Sequence, residues 1–218
     1  MSSIGEEAFR DTGIWNNTSD NSVAYADKWV VGYKGTITNA VLRDDTVGVG
    51  DRAFANCSSL ESIEIPSSVE SIGQSVFRNC NSLVSIEVSV GNANYSSIDG
   101  VLFNKAITEL ILYPAGKEGN SYVIPSSVTG IGAYAFYYCT SLTSIEIPTG
   151  VTSIGTYAFY WCYNLESITI PNSVIDIGYR VFEGCHNLTI YTEVIAAAKP
   201  NGWVDNWNGD CPVVWGDE

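Results

Sequence analysis

Apolar residues recur along this chain in a long, fixed rhythm. From Leu142 the large aliphatic positions are Ile145, Ile147, Val151 and Ile154. Gly155, Ala158, Phe159 and Cys162 follow, and the string restarts at Leu165. Phe136, Phe159 and Phe182 stand 23 residues apart, as do Cys139, Cys162 and Cys185, and Pro125, Pro148 and Pro171. Leu60 to Cys80 carries the same string, and Ile37 to Cys57 carries it with smaller residues. A fixed period with one residue type at several offsets marks a structural unit copied along an axis.

Each position has a physical meaning. Ile63 and Ile65 alternate with Ser62 and Glu64, the period of a strand with one buried face. Pro66 ends that strand because it has no N–H for a ladder. Gly73 marks either a positive-φ bend or a close backbone approach. Ala53-Phe54-x-x-Cys57 predicts one or two turns of helix, with Phe54 and Cys57 on one inward face. So short a unit cannot bury its apolar face alone; stacked copies bury one another, which predicts a solenoid.

The period gives the layout of a single solenoid over 1–218. A partial repeat falls at 4–12, an insertion at 21–36, and repeats at 37–57 and 60–80. Irregular repeats with a second insertion occupy 83–139, repeats follow at 142–162 and 165–185, and a cap covers 188–218. Both insertions read as hairpin-like, the second with Asp99-Gly100 as a possible turn. The tail tryptophans Trp203, Trp207 and Trp215 read as a cover over the last coil, the alternative being an exposed patch for sugar. The chain starts in mid-unit at Ile4-Gly5 and shows no secretory leader, so a longer natural protein is expected.

The chain is 45% hydrophobic and 16% charged, and its formal net charge is −14. That charge opposes nucleic acid and anionic lipid and suits a basic partner. No apolar run is long enough to span a membrane.

Little in the sequence points to chemistry. Five cysteines, Cys57, Cys80, Cys139, Cys162 and Cys185, occupy the repeat position, and Thr12 takes that place in the partial unit. Their spacing does not match zinc ligands. A row of buried free thiols is preferred, with a Cys185–Cys211 bridge as the alternative and Cys211 outside the row. His186 is the only histidine and sits at a variable, solvated position. No catalytic, cofactor-binding or metal-binding residues are assigned, and the chain is expected not to be an enzyme.

Two sets of outward residues are candidate partner-binding positions. Glu64, Glu87 and Glu146 hold the outward strand slot, Glu64 and Glu87 on adjacent coils where like charges repel. A solvated acidic face is one explanation, a site for a basic partner the other. Tyr137, Tyr138, Tyr160, Trp161 and Tyr163 form an aromatic strip confined to two coils. Rings that stiffen the array explain it in one way, a platform for a protein or a sugar in another.

The Leu-x-x-Ile-x-Ile-Pro-x-Ser-Val-x-x-Ile-Gly-x-x-Ala-Phe-x-x-Cys string closely resembles the BspA-like leucine-rich repeat. Leu60–Cys80, Leu142–Cys162 and Leu165–Cys185 match it, with Gly150 in a Ser slot, and Ile124–Cys139 matches its second half. Ile107–Leu112 and the mid-unit start depart from it. The resemblance implies an α/β leucine-rich-repeat solenoid of 23-residue repeats. A parallel β-sheet would lie on one face, with short helical or irregular segments on the other. It also implies a bacterial surface or secreted location, typical of a family linked to adhesion. The motif is structural, so no binding residues follow from it. The expected role is a non-catalytic, extracellular protein-interaction module, monomeric as an isolated domain, that binds a host or matrix protein. Glycan binding through the aromatic strip, or a passive spacer, are the alternatives.

Overall fold

The computed structural model describes residues 9 and 11–217. It divides into two compact units, Met1–Lys105 and Ala106–Glu218. Each is a stack of coils in which every coil supplies one strand to each of two parallel sheets.

In the first unit one sheet runs Asn39–Val41, Ser62–Ile65, Ser85–Val88, all parallel. The second runs Trp29–Lys34, Gly48–Val49, Ser71–Ile72. In the second unit one sheet holds Ser121–Val123, Ser144–Glu146, Ser167–Ile170, Thr189–Thr192 and Val213–Val214. The other holds Glu109–Leu112, Gly130–Ile131, Ser153–Ile154, Asp176–Ile177 and Gly202–Trp203. Ser121 pairs with Ser144 and Ser144 with Ser167, so the register follows the sequence period.

Both insertions are antiparallel hairpins. Ser22–Ala26 pairs with Trp29–Lys34, and Tyr95–Ile98 pairs with Val101–Asn104. Asp99 and Gly100 both take positive φ, as a tight two-residue turn requires. The second strand of the first hairpin pairs in parallel with Gly48–Val49, so the ladder continues through the insertion.

The helix expected at Ala53–Cys57 does not form. Among the described residues the α-helix is Gly13–Asn17, with one 3₁₀ turn at Ala196–Ala198. Residues 50–57 make three successive tight turns, in which Ala53, Ala55 and Cys57 donate to Gly50, Arg52 and Phe54. The alternate amides of Arg52, Phe54 and Asn56 donate to Gln74, Val76 and Arg78 on the next coil. A helix would spend all these donors within one coil; the turn stack shares them and adds a third ladder between coils. The geometry requires left-handed φ at two positions per coil, Arg52 and Asn56 here, Ser75 and Asn79 next. Asp11 takes the same conformation before Thr12, whose amide donates to Phe9 O as that of Cys57 does to Phe54 O. The rest of the 4–12 partial unit, apart from Phe9, lies outside the described residues.

Gly73 is not at positive φ. A Cβ there would lie 2.5 Å from Asp51 N, and one at Gly178 would lie 2.4 Å from Thr156 N. These glycines let one coil's backbone rest on the next.

The core is a column of rings. Phe136 stacks on Phe159 at 4.9 Å and Phe159 on Phe182 at 5.2 Å, with interplanar angles of 10° and 7°. Phe54 and Phe77 repeat the contact at 5.8 Å. Tyr33 and Tyr113 extend the two columns, stacking on Phe54 and Phe136.

Beside the rings run the thiols, all six buried and free. Cys80, Cys162 and Cys185 donate to the carbonyls of Phe54, Phe136 and Phe159 at 3.0–3.1 Å. Cys211 belongs to this row, contrary to expectation: its Sγ lies 3.5 Å from Phe182 O. The tail is therefore one more coil, stretched to a step of 26 residues between Cys185 and Cys211. Trp203, Trp207 and Trp215 pack on one another at 4.9–6.4 Å, and Trp207 meets Phe182 edge-on. Trp203 and Trp207 are buried, so their rings close the core and offer no sugar platform.

Asn92 anchors the second hairpin. Its buried amide donates to Pro66 O and Val69 O and accepts from the amides of Asn94 and Tyr95, at 2.8–3.0 Å. Asn92→Ala leaves those backbone groups unpaired. The expected loss is about 2–3 kcal/mol of unfolding free energy, read from urea denaturation.

Candidate interaction surfaces

The outward slots of the longer strands form one surface in each unit. In the first, Glu64 and Glu87 stand in register on adjacent strands, with Val41 beside Glu64. The structure thus brings two of the three expected carboxylates together, both exposed. Ser85 Oγ donates to Glu87 Oε1, which disperses part of the like-charge repulsion.

Glu146 belongs to the second unit. It pairs in register with Val123, and Thr169 holds the corresponding slot on the next strand. An open groove of about 390 Å³ runs over this sheet, lined by Val123, Ser144, Glu146, Ser167 and Thr169 among others. Further along, Thr169 pairs with Tyr191 and Tyr191 with Val214. Val123, Tyr191 and Val214 are 65%, 44% and 48% exposed, and the core uses none of them. Sequence reasoning missed these three. They share the outward slot of Glu64, and that offset was the signal available.

The aromatic strip lies on the turn side of the second unit. Tyr137 stacks on Tyr160 at 5.6 Å and 8°, Tyr138 on Trp161 at 6.3 Å and 17°, Tyr134 on Tyr157 at 5.2 Å and 21°. Tyr163 meets Tyr138 and Trp161 edge-on. A hydrogen bond with Tyr138 holds the Tyr163 phenol above its ordinary pKa. The structure therefore joins all five expected aromatics with Tyr134 and Tyr157, which precede the Phe positions, and adds Tyr179. Trp161, at 40%, is the most exposed of the five.

His186 is exposed. Among the described residues no group of three or more His, Cys, Asp or Glu could hold a metal ion. No helix among them is long and apolar enough to cross a membrane.

Stacked coils of about 23 residues, parallel strands and a Phe–Cys core define a leucine-rich-repeat solenoid. The model of the BspA type leucine-rich repeat region matches residues 1–108 and 112–193 in six copies, and the chain belongs to that family. No curated protein matches it in sequence. Several solved structures resemble it, two of them as follows. A leucine-rich repeat protein from Eubacterium ventriosum is 28% identical with a TM-score of 0.63, over 82% of this chain and 60% of that one. The pneumococcal vaccine antigen PcpA is 26% identical with a TM-score of 0.58, over 72% of this chain and 51% of that one. The chain thus spans less than two thirds of either protein's length. Proteins of this family and fold typically bind proteins and are typically not catalysts.

Proposed function

We propose that this chain is a non-catalytic protein-binding module of a bacterial surface or secreted protein, and that it docks through the longer-strand sheets. The observation that carries this is the exposed row Val123, Glu146, Thr169, Tyr191, Val214. The core needs none of those side chains, and exposed mixed rows of this kind suit a protein surface. The likeness to a vaccine antigen supports an exposed location. With Glu146 in the second unit and the Glu64–Glu87 pair in the first, the carboxylates favour a basic partner, which suits a net charge of −14.

The test is surface plasmon resonance against purified extracellular-matrix proteins, beside a glycan array. Binding of a matrix protein should weaken about tenfold or more in Glu146→Lys. It should also weaken as salt rises from about 0.15 M to about 0.5 M. Glycan binding with no protein binding would refute the proposal.

A further inference from the structure

The aromatic strip is built at a cost to the backbone. Tyr134, Tyr138, Tyr157 and Trp161 all hold left-handed φ, between 56° and 61°. Other coils fill the same two turn positions with Arg52, Ser75, Arg180 and Asn206, and with Asn56, Asn79, Gly184 and Asp210. Asn, Asp and Gly tolerate this conformation; a bulky aromatic is strained in it. Nor does the stack need a ring there, since Asn79 Nδ2 donates to Asn56 Oδ1 at 2.8 Å and links the two coils through the same slot. Strained residues that the fold can replace with better ones point to function.

We infer that Tyr137, Tyr138, Tyr160, Trp161 and Tyr163 form a second docking surface, separate from the sheet row, for a protein partner that presents basic side chains. Three observations choose this occupant. Each stacked ring gives one face to its counterpart on the next coil, and the Trp161 ring also lies against Gly184, where a Cβ would come within 2.7 Å. Those stacked faces are covered, whereas a sugar needs open ring faces. Rings locked by stacking lose little freedom on binding, as at Tyr-rich protein interfaces. The second unit holds three Lys or Arg against eleven Asp or Glu, while the strip itself carries no charge. A basic partner is therefore drawn in by the unit's field without having to desolvate a carboxylate on the strip.

The probe is a random peptide library displayed on phage and selected on the whole chain. The discriminating variant is Tyr138→Asn/Trp161→Asn, which recreates the Asn56/Asn79 pair. Selected peptides should be net positive and should bind this variant at least about tenfold more weakly. The variant's melting midpoint should stay within about 3 °C of the parent or rise above it. Glu146→Lys should leave these peptides bound, which separates this surface from the sheet row. Equal binding to the double variant, a selection without enrichment, or a melting midpoint lower by about 8 °C or more would overturn the inference. So would glycan-array binding that the double variant abolishes, since it would assign the strip to sugar.

Discussion

Phe159→Ala lowers the unfolding free energy by about 3–5 kcal/mol. Phe159 is fully buried and lies between Phe136 and Phe182, at 4.9 and 5.2 Å. Truncation removes its own transfer free energy and leaves a cavity with a ring on either side. Backbone ladders on three sides hold the neighbouring coils at a fixed spacing, so the site cannot collapse to fill it. The loss should therefore fall toward the upper end of the range. Phe77→Ala is the comparison. Phe77 is only half buried, and its truncation should cost less. Urea denaturation of both variants checks the order; equal losses would mean that the ring column does not hold the coils.

Alkali should destabilise the fold through its thiols. Burial raises the Cys80 pKa to about 12, and burial together with the charge of Cys185 does the same for Cys211. Burial also lifts Cys57 and, much further, Cys162; Cys185 is raised first by its hydrogen bond with Cys162 and then by burial. In the unfolded chain a thiol loses its proton near pH 8.5. The folded state thus binds protons more tightly. Its advantage is complete below about pH 8.5 and shrinks as pH rises toward the folded values. Each such thiol removes about 1.4 kcal/mol per pH unit in that window, so Cys80 and Cys211 alone remove about 3. Urea denaturation at pH 8, 9 and 10 should show the decline, and Cys80→Ala should flatten its slope by about 1.4 kcal/mol per unit. A profile that stays level up to pH 10 in the parent would show that the thiols ionise as readily folded as unfolded.

Much of this was legible because a solenoid writes its neighbours into its period. A residue that touches its copy one coil away recurs at a fixed step, so the Phe column, the Cys row and the Glu64–Glu87 pair could all be located by counting. The Asp99-Gly100 turn was legible for a local reason, its tolerance of positive φ. Counting failed where the step changed. Tyr33 stands 21 residues before Phe54, and Cys211 joins the row after 26 residues instead of 23. Tyr113 keeps the 23-residue step before Phe136 and was missed because its residue type differs. The helix expectation failed for another reason. Inward residues at i and i+3 suit a helix and a run of tight turns equally, and the choice lay with amides that donate to another coil.

The candidate surfaces divide in the same way. That Glu146, Tyr160 and Trp161 face outward followed from alternation and from their place between Phe and Cys. That Val123, Tyr191 and Val214 form one row with Glu146 did not, because their types vary while only the slot repeats.

By itself the sequence determined the repeat, the inward residues and the family, since each depends on residue type at a fixed spacing. Tertiary structure alone decided that the turn side is a ladder instead of a helix, that the tail is a further coil, and that the aromatic strip stacks ring on ring from coil to coil. Those outcomes rest on where backbone donors and ring faces find partners in neighbouring coils, and no single coil's sequence encodes that.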